Sequence, residues 1–334
     1  MAAAPPPHAS PWAGWWNAEI YDAFTREHRI YRALNRKLVA LARIESARRV
    51  LDLACGAGAT ARACLERLPA RGELVGVDAS EAMVEVARTR VRDPRARFVV
   101  APASGFEAAV SGRFDRAVCN AAFWQFPDRR AVLAALARRL DAGGLFVFNV
   151  PEERLRPVNG PARHPSEEHD PESATPGFAA ATATAGCDPV APTVRPCGLG
   201  AASGAGVTPF QVALARAVEE RTGRPPSGSP LLSPERLETR LREAGFTPLA
   251  RERFTYAGRQ RELMELMTIP AMIRRLAPTL PPAQRDEVLE RARRHVDPEQ
   301  PVRIPWIYFV ARREGREGPE GPKTAQATDR PLRS

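Results

Sequence analysis

Lysine is almost missing from this chain. Lys37 and Lys323 are the only two among 49 basic residues, and the rest are arginine. With alanine, proline and glycine also abundant, the net charge of +10 reads as a compositional bias and not as a dedicated nucleic-acid surface. Cysteine is scarce, at five residues with no CxxC pair, which excludes a disulfide framework and a zinc ribbon. No metal is expected. No apolar run approaches the roughly 18 residues of a membrane span. The opening MAAAPPPHASPWAGWW has neither a basic nor an apolar signal region. The expectation is a cytoplasmic protein. Histidine is limited to His8, His28, His164, His169 and His295, so few general bases are on offer. What is present is a 44% hydrophobic content over 334 residues, enough for one elaborated α/β domain or two small ones.

The chain divides by pattern. Residues 1–16 are Pro/Ala-rich and expected to be disordered, with Trp12, Trp15 and Trp16 able to fold back on the body. Helices are predicted at about 17–25 and 27–42. In the second, Arg29, Arg32, Arg36 and Arg43 form one stripe opposite Ile30, Leu34, Leu38 and Leu41, as on a surface helix. Strand and helix then alternate to residue 150. Strands are predicted at 49–54, 73–78, 98–100, 114–120 and 145–150, with helices at 57–68, after Ser80 and after Asp128. That alternation implies a parallel sheet covered on both faces. Residues 151–231 are rich in Pro, Ala, Gly, Ser and Thr, with one helix at 209–222; a functional lid and simple disorder both remain open. Order resumes over 232–312: a helix capped by Ser233 and closed by Gly245, a strand at 246–256, an insertion at 257–301 with helices at 259–276 and 281–296, and a last strand at 304–312. Residues 313–334 read as a disordered tail.

The most informative stretch is Val50-Leu-Asp-Leu-Ala-Cys-Gly-Ala-Gly-Ala-Thr60. A buried strand runs into glycines and then a helix. Gly56 and Gly58 allow a sharp turn and close approach to a ligand, and the helix offers free N–H groups. Asp78 ends the next strand twenty residues after Gly58, the spacing at which a carboxylate reaches a ribose diol. Together these indicate an adenosine-containing cofactor. Gly56-x-Gly58-x-x-Ala61 formally matches the dinucleotide fingerprint, but Asp52, four residues before Gly56, would repel a pyrophosphate and suits a ligand bearing an ammonium group.

On these residues the sequence resembles a class I S-adenosylmethionine-dependent methyltransferase of the small-molecule group that includes the ubiquinone/menaquinone-type enzymes. Asp52-Leu-Ala-Cys-Gly-Ala-Gly58 matches the glycine-rich first motif, Val77-Asp78-Ala-Ser-Glu-Ala-Met83 the second, Phe114-Asp115 opens the fourth-strand motif, and Leu140-Asp-Ala-Gly-Gly-Leu145 matches the L-x-P-G-G-x turn with Ala142 in place of proline. The resemblance covers about 17–150 well and 232–312 loosely. It implies a Rossmann-like, seven-stranded, mostly parallel α/β sheet with one antiparallel strand ending near 312, and S-adenosylmethionine as cofactor. It implies cofactor contacts from Asp52, Ala54, Gly56, Gly58, Asp78, Ala79, Met83 and Asn120, with Tyr21 closing over from the N-terminal helices; Phe24 and Tyr31 are further candidates for that closure. Where the family often has Gly-Asp-Ala after the third strand, this chain has Ala101-Pro-Ala-Ser104, so adenine recognition passes to the region of Ala103 and Ser104.

In this fold the segment Asn120-Ala-Ala-Phe-Trp124 faces the transferred methyl. It lacks the prolines of the base-methylating Asn-Pro-Pro motif, so Phe123 and Trp124 are expected to wall a pocket for a small, largely apolar acceptor, with Met264, Met267 and Met272 from the helical insertion. Ile269 and Ile273 would extend the same apolar lining. No catalytic base is assigned; His164 and His169 lie in the 151–231 segment, from which a lid would have to deliver them. The acceptor, its acceptor atom and the oligomeric state stay open. Nucleic acid is disfavoured as a partner, and the rival readings are an rRNA or tRNA methyltransferase using the arginine stripe, a nicotinamide oxidoreductase, and a scaffold without catalysis.

Overall fold

The computed structural model describes residues 12–154, 207–227 and 232–315. The expectations for 157–205, including His164, His169, Cys187 and Cys197, lie outside these residues, as does His8.

Two helices lead in, α1 (Trp15–Glu27) and α2 (Arg29–Leu41). α1 starts two residues earlier than the pattern suggested, because Trp15 and Trp16 join its first turn with their rings exposed. α2 buries Ile30, Leu34 and Leu38 and exposes Arg29, Arg32 and Arg36, as its periodicity dictates; Arg43 beyond its end is also exposed. Then come β1 (Arg49–Leu53), α3 (Ala59–Leu65), β2 (Glu73–Asp78), α4 (Glu81–Arg90), β3 (Ala96–Val100), β4 (Phe114–Cys119), α5 (Arg129–Arg139) and β5 (Leu140–Pro151). Side chains set several boundaries. Ser80 Oγ accepts from Met83 N and starts α4, and Asp128 Oδ1 accepts from Ala131 N at 2.8 Å and starts α5.

Beyond the central segment lie α6 (Pro209–Thr222), α7 (Pro234–Glu243), β6 (Phe246–Arg259), α8 (Gln260–Leu266), α9 (Pro270–Leu276), α10 (Pro282–Arg293) and β7 (Pro301–Arg313). α6 opens with a Thr208–Gln211 capping box and Pro209 in its first turn. The single helix expected over 259–276 is two. Pro270 has no N–H to continue the ladder, so α8 ends and α9 restarts at the proline. β6 and β7 both extend beyond the bounds the pattern indicated, and they pair along that whole length from Phe246↔Arg313 to Arg259↔Pro301.

The seven strands lie in the order β3-β2-β1-β4-β5-β7-β6. β1 to β5 are parallel to one another, while β7 runs antiparallel to both β5 and β6. The Rossmann-like α/β sheet expected from the alternation is thus present, with its one reversed strand at 301–313. Alternate residues of each strand feed two cores. Leu51, Val75, Ala117, Phe146 and Phe309 pack with α5 and α7, and Val50, Leu74, Val118, Val147 and Tyr308 pack with α2, α3, α6 and α10. Cys55, Cys64 and Cys119 are buried, and burial pushes each thiol well up, which leaves them inert.

Candidate active site

The carboxyl ends of β1, β2, β4 and β5 meet the N-terminal helices, and there the polar residues collect. In open α/β sheets this crevice is where ligands bind. The turn after β1 is left-handed at three places: Ala54 (φ 57), Gly56 (φ 52) and Gly58 (φ 84). The two glycines serve different ends. A Cβ on Gly56 would lie 3.2 Å from Tyr21 Cε1, so this glycine admits the ring that covers the turn. A Cβ on Gly58 would come within 2.8 Å of Val91 Cγ2, so that glycine allows the close packing of α4. Ala54 adopts the left-handed conformation at a cost of about 1–2 kcal/mol that a glycine would not incur.

Asp78 is held by the backbone. Its Oδ2 accepts from Gly56 N at 3.0 Å and its Oδ1 from Ser80 N at 2.9 Å. Burial pushes its carboxyl up, and the N–H groups of Ser80, Gly56 and Ala79 oppose that. Asp52 is different. It is fully buried, and neither carboxylate oxygen has a hydrogen-bond partner. Burial, with the repulsion of Asp78 added, pushes its carboxyl up to about 8; the Ala61 backbone N–H opposes this weakly, from outside hydrogen-bonding geometry. A buried acid with no donor stays protonated unless a positive charge is brought beside it.

Above the turn sits an aromatic cover. Tyr21 lies between Trp12 and Tyr31, edge to face at 5.6 and 5.5 Å. Burial pushes the Tyr31 phenol to about 12 and Tyr21 upward as well, so both stay neutral. Met83 packs in the same small cluster with Ala18, Ala57 and Val86, against Trp12 and Tyr21. Trp12 is tied down twice: its carbonyl accepts from Ser80 Oγ at 3.1 Å, and its Nε1 donates to Gln125 Oε1 at 3.0 Å. Phe24 is buried against His28 and Tyr31 and belongs to the core. Ala79 and Ser104 are exposed and Ala103 half-buried.

The turn after β4 carries a second left-handed alanine, Ala121 (φ 56). Three hydrogen bonds hold it: Asn149 Oδ1 accepts from its N–H at 2.6 Å, and its carbonyl accepts from Trp124 Nε1 at 3.1 Å and Gln125 Nε2 at 3.0 Å. At about 0.5–1.5 kcal/mol each, they offset the strain of the conformation. Asn120 turns inward. Its Nδ2 donates to Asn35 Oδ1 and its Oδ1 accepts from Asn149 Nδ2, both at 2.8 Å.

Several residues expected to wall an acceptor pocket have other duties. Phe123 is fully buried and packs on Phe148 at 4.2 Å and Phe146 at 5.8 Å, in the core under the far face of the sheet. Trp124 shares that core cluster with Phe123, and it and Gln125 also meet Arg275 of the insertion. Met264, Met267, Ile269 and Ile273 are buried; the two methionines and Ile273 lie in the main core cluster, while Met272 is half-buried beside it. Trp124 is buried under the Arg275 guanidinium, 4.6 Å from its ring, and Arg275 Nη1 also donates to Gln125 Oε1 at 2.8 Å. His28 pairs with Glu265 Oε2 at 2.5 Å where α1 meets α2, and His295 is exposed.

Sequence pattern alone does not single out Asn35, Thr60, Asn149, Gln125 and Arg275. A signal exists for two of them: Asn35 interrupts the apolar face of α2, and Asn149 interrupts an apolar strand.

Residues 50–144 match the family described as "Methyltransferase domain". Trans-aconitate 2-methyltransferase of Variovorax paradoxus is 32% identical over 144 residues, covering 43% of this chain and 53% of that protein. The enzymes of the same name from Methylobacterium radiotolerans and Rhodopseudomonas palustris are 31% and 32% identical, over 43% and 42% of this chain and 52% of each relative. The chain spans about half the length of the curated relatives it matches. The likeness to a methyltransferase domain thus lies in the segment from β1 into β5. Among the described residues, no helix is long and apolar enough to cross a membrane.

Proposed function

We propose that this chain transfers a methyl group from S-adenosylmethionine to a small-molecule acceptor. The observation that carries the reading is the orphaned Asp52 carboxyl beside a glycine turn whose next acid, Asp78, is already oriented. A cationic ligand answers the first, and a ribose diol answers the second. A pyrophosphate would answer neither, which weighs against a nicotinamide cofactor. Bound S-adenosylmethionine supplies an electrophilic methyl on a sulfonium.

The residues present fit that group. Asp52 would neutralise the positively charged end, and Asp78 would accept from the ribose hydroxyls. Tyr21 and Met83 would cover it from the aromatic side. Ala79, Ala103 and Ser104 would border the adenine. Tyr21, Trp12 and Arg275, joined through Gln125, exclude water from above the turn. Methyl transfer to a held nucleophile rests on proximity and orientation, so a dedicated base is not demanded of this chain.

The acceptor is proposed as a small molecule. The relatives are named for trans-aconitate, a small acid, and the arginines of α2 spread over an outer helix face. An apolar character no longer follows, because Phe123, Met264 and Met267 are committed to packing; Trp124, Gln125 and Arg275 stand nearest the turn after β4. The direct test is calorimetry with S-adenosylmethionine on the wild type and Asp78→Ala, followed by transfer of labelled methyl to a panel of small acids beginning with trans-aconitate. Loss of Asp78 should weaken cofactor binding by about 1.5–3 kcal/mol. Unchanged affinity in a folded variant removes Asp78 from the site.

A further inference from the structure

A buried line of side-chain hydrogen bonds connects the turn after β1 to the turn after β4. Thr60 Oγ1, in the first turn of α3, donates to Asn35 Oδ1 at 2.8 Å. The same oxygen accepts from Asn120 Nδ2, also at 2.8 Å. Asn149 then grips two consecutive residues, donating to Asn120 Oδ1 and accepting from Ala121 N. Thr60, Asn35 and Asn149 are buried to 6%, 2% and 0% exposure. They come from α3, α2 and β5 and are far apart in sequence. Asn35 sits at the junction, since its one carbonyl oxygen serves donors from the two turns.

We propose that Asn35, Thr60 and Asn149 are positioning residues that make the turn at Ala121 respond to occupation of the cofactor cleft. The inference rests on the methyltransferase reading above and adds residues that reading does not use. Three features carry it. First, an apolar filling would satisfy this interior without donors or acceptors; here the donors and acceptors are matched to one another, so the groups can shift only together. Second, Ala121 keeps a conformation that alanine disfavours, which persists only where surroundings over-determine it. Asn149 supplies the bond to its N–H, and releasing Asn149 would let the turn relax. Third, Thr60 lies two residues beyond Gly58, so a shift of the glycine turn carries with it the hydroxyl that bonds Asn35. A consequence concerns Asn120. Its amide nitrogen and oxygen each make one inward bond, which fixes the orientation of the amide at the turn.

The test uses S-adenosylhomocysteine as the probe and the full chain. Amide hydrogen exchange is followed at residues 119–126 with and without the probe. In the wild type, saturation should slow exchange of the Ala121 amide by roughly tenfold or more. Thr60→Val keeps the shape and deletes the hydroxyl. It should bind the probe within about threefold of wild type while the protection at Ala121 falls below about threefold, as expected of a lost relay and not of a lost site. Thr60→Ser restores the hydroxyl and should restore the protection, which a purely structural role would not demand. Should the valine variant fail to fold, Thr60→Ala is read the same way. The proposal is overturned if the probe binds the wild type without protecting Ala121, or if protection survives in Thr60→Val. If the probe fails to bind the wild type at all, the methyltransferase reading falls first and this inference with it.

Discussion

Replacing Asp52 by asparagine should change how the stability of the ligand-free protein depends on pH. Asp52 is fully buried, its oxygens have no hydrogen-bond partner, and its carboxyl is pushed from 3.8 to about 8. Because the folded value lies above the unfolded one, the native state binds the extra proton between these limits. Stability is therefore retained below pH 4 as far as this group is concerned, and it falls as pH rises toward 8. At about 1.4 kcal/mol for each pH unit, the loss is at most on the order of 6 kcal/mol once Asp52 is ionised. A neutral amide in its place would carry no such penalty. Urea unfolding of both proteins at pH 5, 7 and 9 reads the difference: the variant should gain on the wild type steadily across the series, with the larger gap at pH 9. The same carboxyl predicts proton release on binding. The raised carboxyl is mostly protonated at pH 7, so a cationic ligand beside it should expel a proton, measurable by calorimetry in buffers of different ionisation enthalpy. A constant stability gap from pH 5 to 9, together with no proton release, would refute the reasoning.

Gly56→Val should abolish S-adenosylmethionine binding with the fold retained, because φ is +52° and a Cβ meets Tyr21 at 3.2 Å; circular dichroism and calorimetry together decide it. Phe123→Ala should lower stability by about 3–5 kcal/mol in urea unfolding, since the ring fills a core; a stable variant that loses only activity would return Phe123 to the acceptor site. Reversing Arg29, Arg32 and Arg36 to Glu together should leave binding of S-adenosylhomocysteine within about twofold, since all three side chains lie on the exposed face of α2. A large loss in that triple variant, or a steep salt dependence of RNA binding in the wild type, would revive the nucleic-acid reading.

The glycine turn, Asp78 and the succession of strands and helices up to β5 were legible because each is a local matter. A strand, a left-handed turn, a cap and a carboxylate follow one another within about thirty residues, and short-range chemistry dictates them. The break at Pro270 is signalled by the proline itself but masked by the periodicity of apolar residues, which continues straight through it. The acceptor side was not legible in the same way. Phe123 and Trp124 are neighbours in an apolar stretch and both enter the core beneath the sheet, yet Trp124 alone of the two also meets Arg275, 151 positions later. Nothing in their spacing assigns that contact.

The sequence by itself determined the class of domain and the cofactor turn, because their signals are backbone conformations and residue spacings that any local segment expresses. Tertiary structure alone decided which polar groups have partners. Thr60, Asn35, Asn120 and Asn149 hydrogen-bond across 25 to 85 positions, and Trp12 reaches Gln125 across 113. Asp52 is left without a donor only because α2, α3 and the sheet close around it. A buried hydrogen bond depends on distances of about 3 Å between chain-distant atoms. Such distances exist only once the helices have packed, so the sequence names the donors and acceptors and the fold chooses among them.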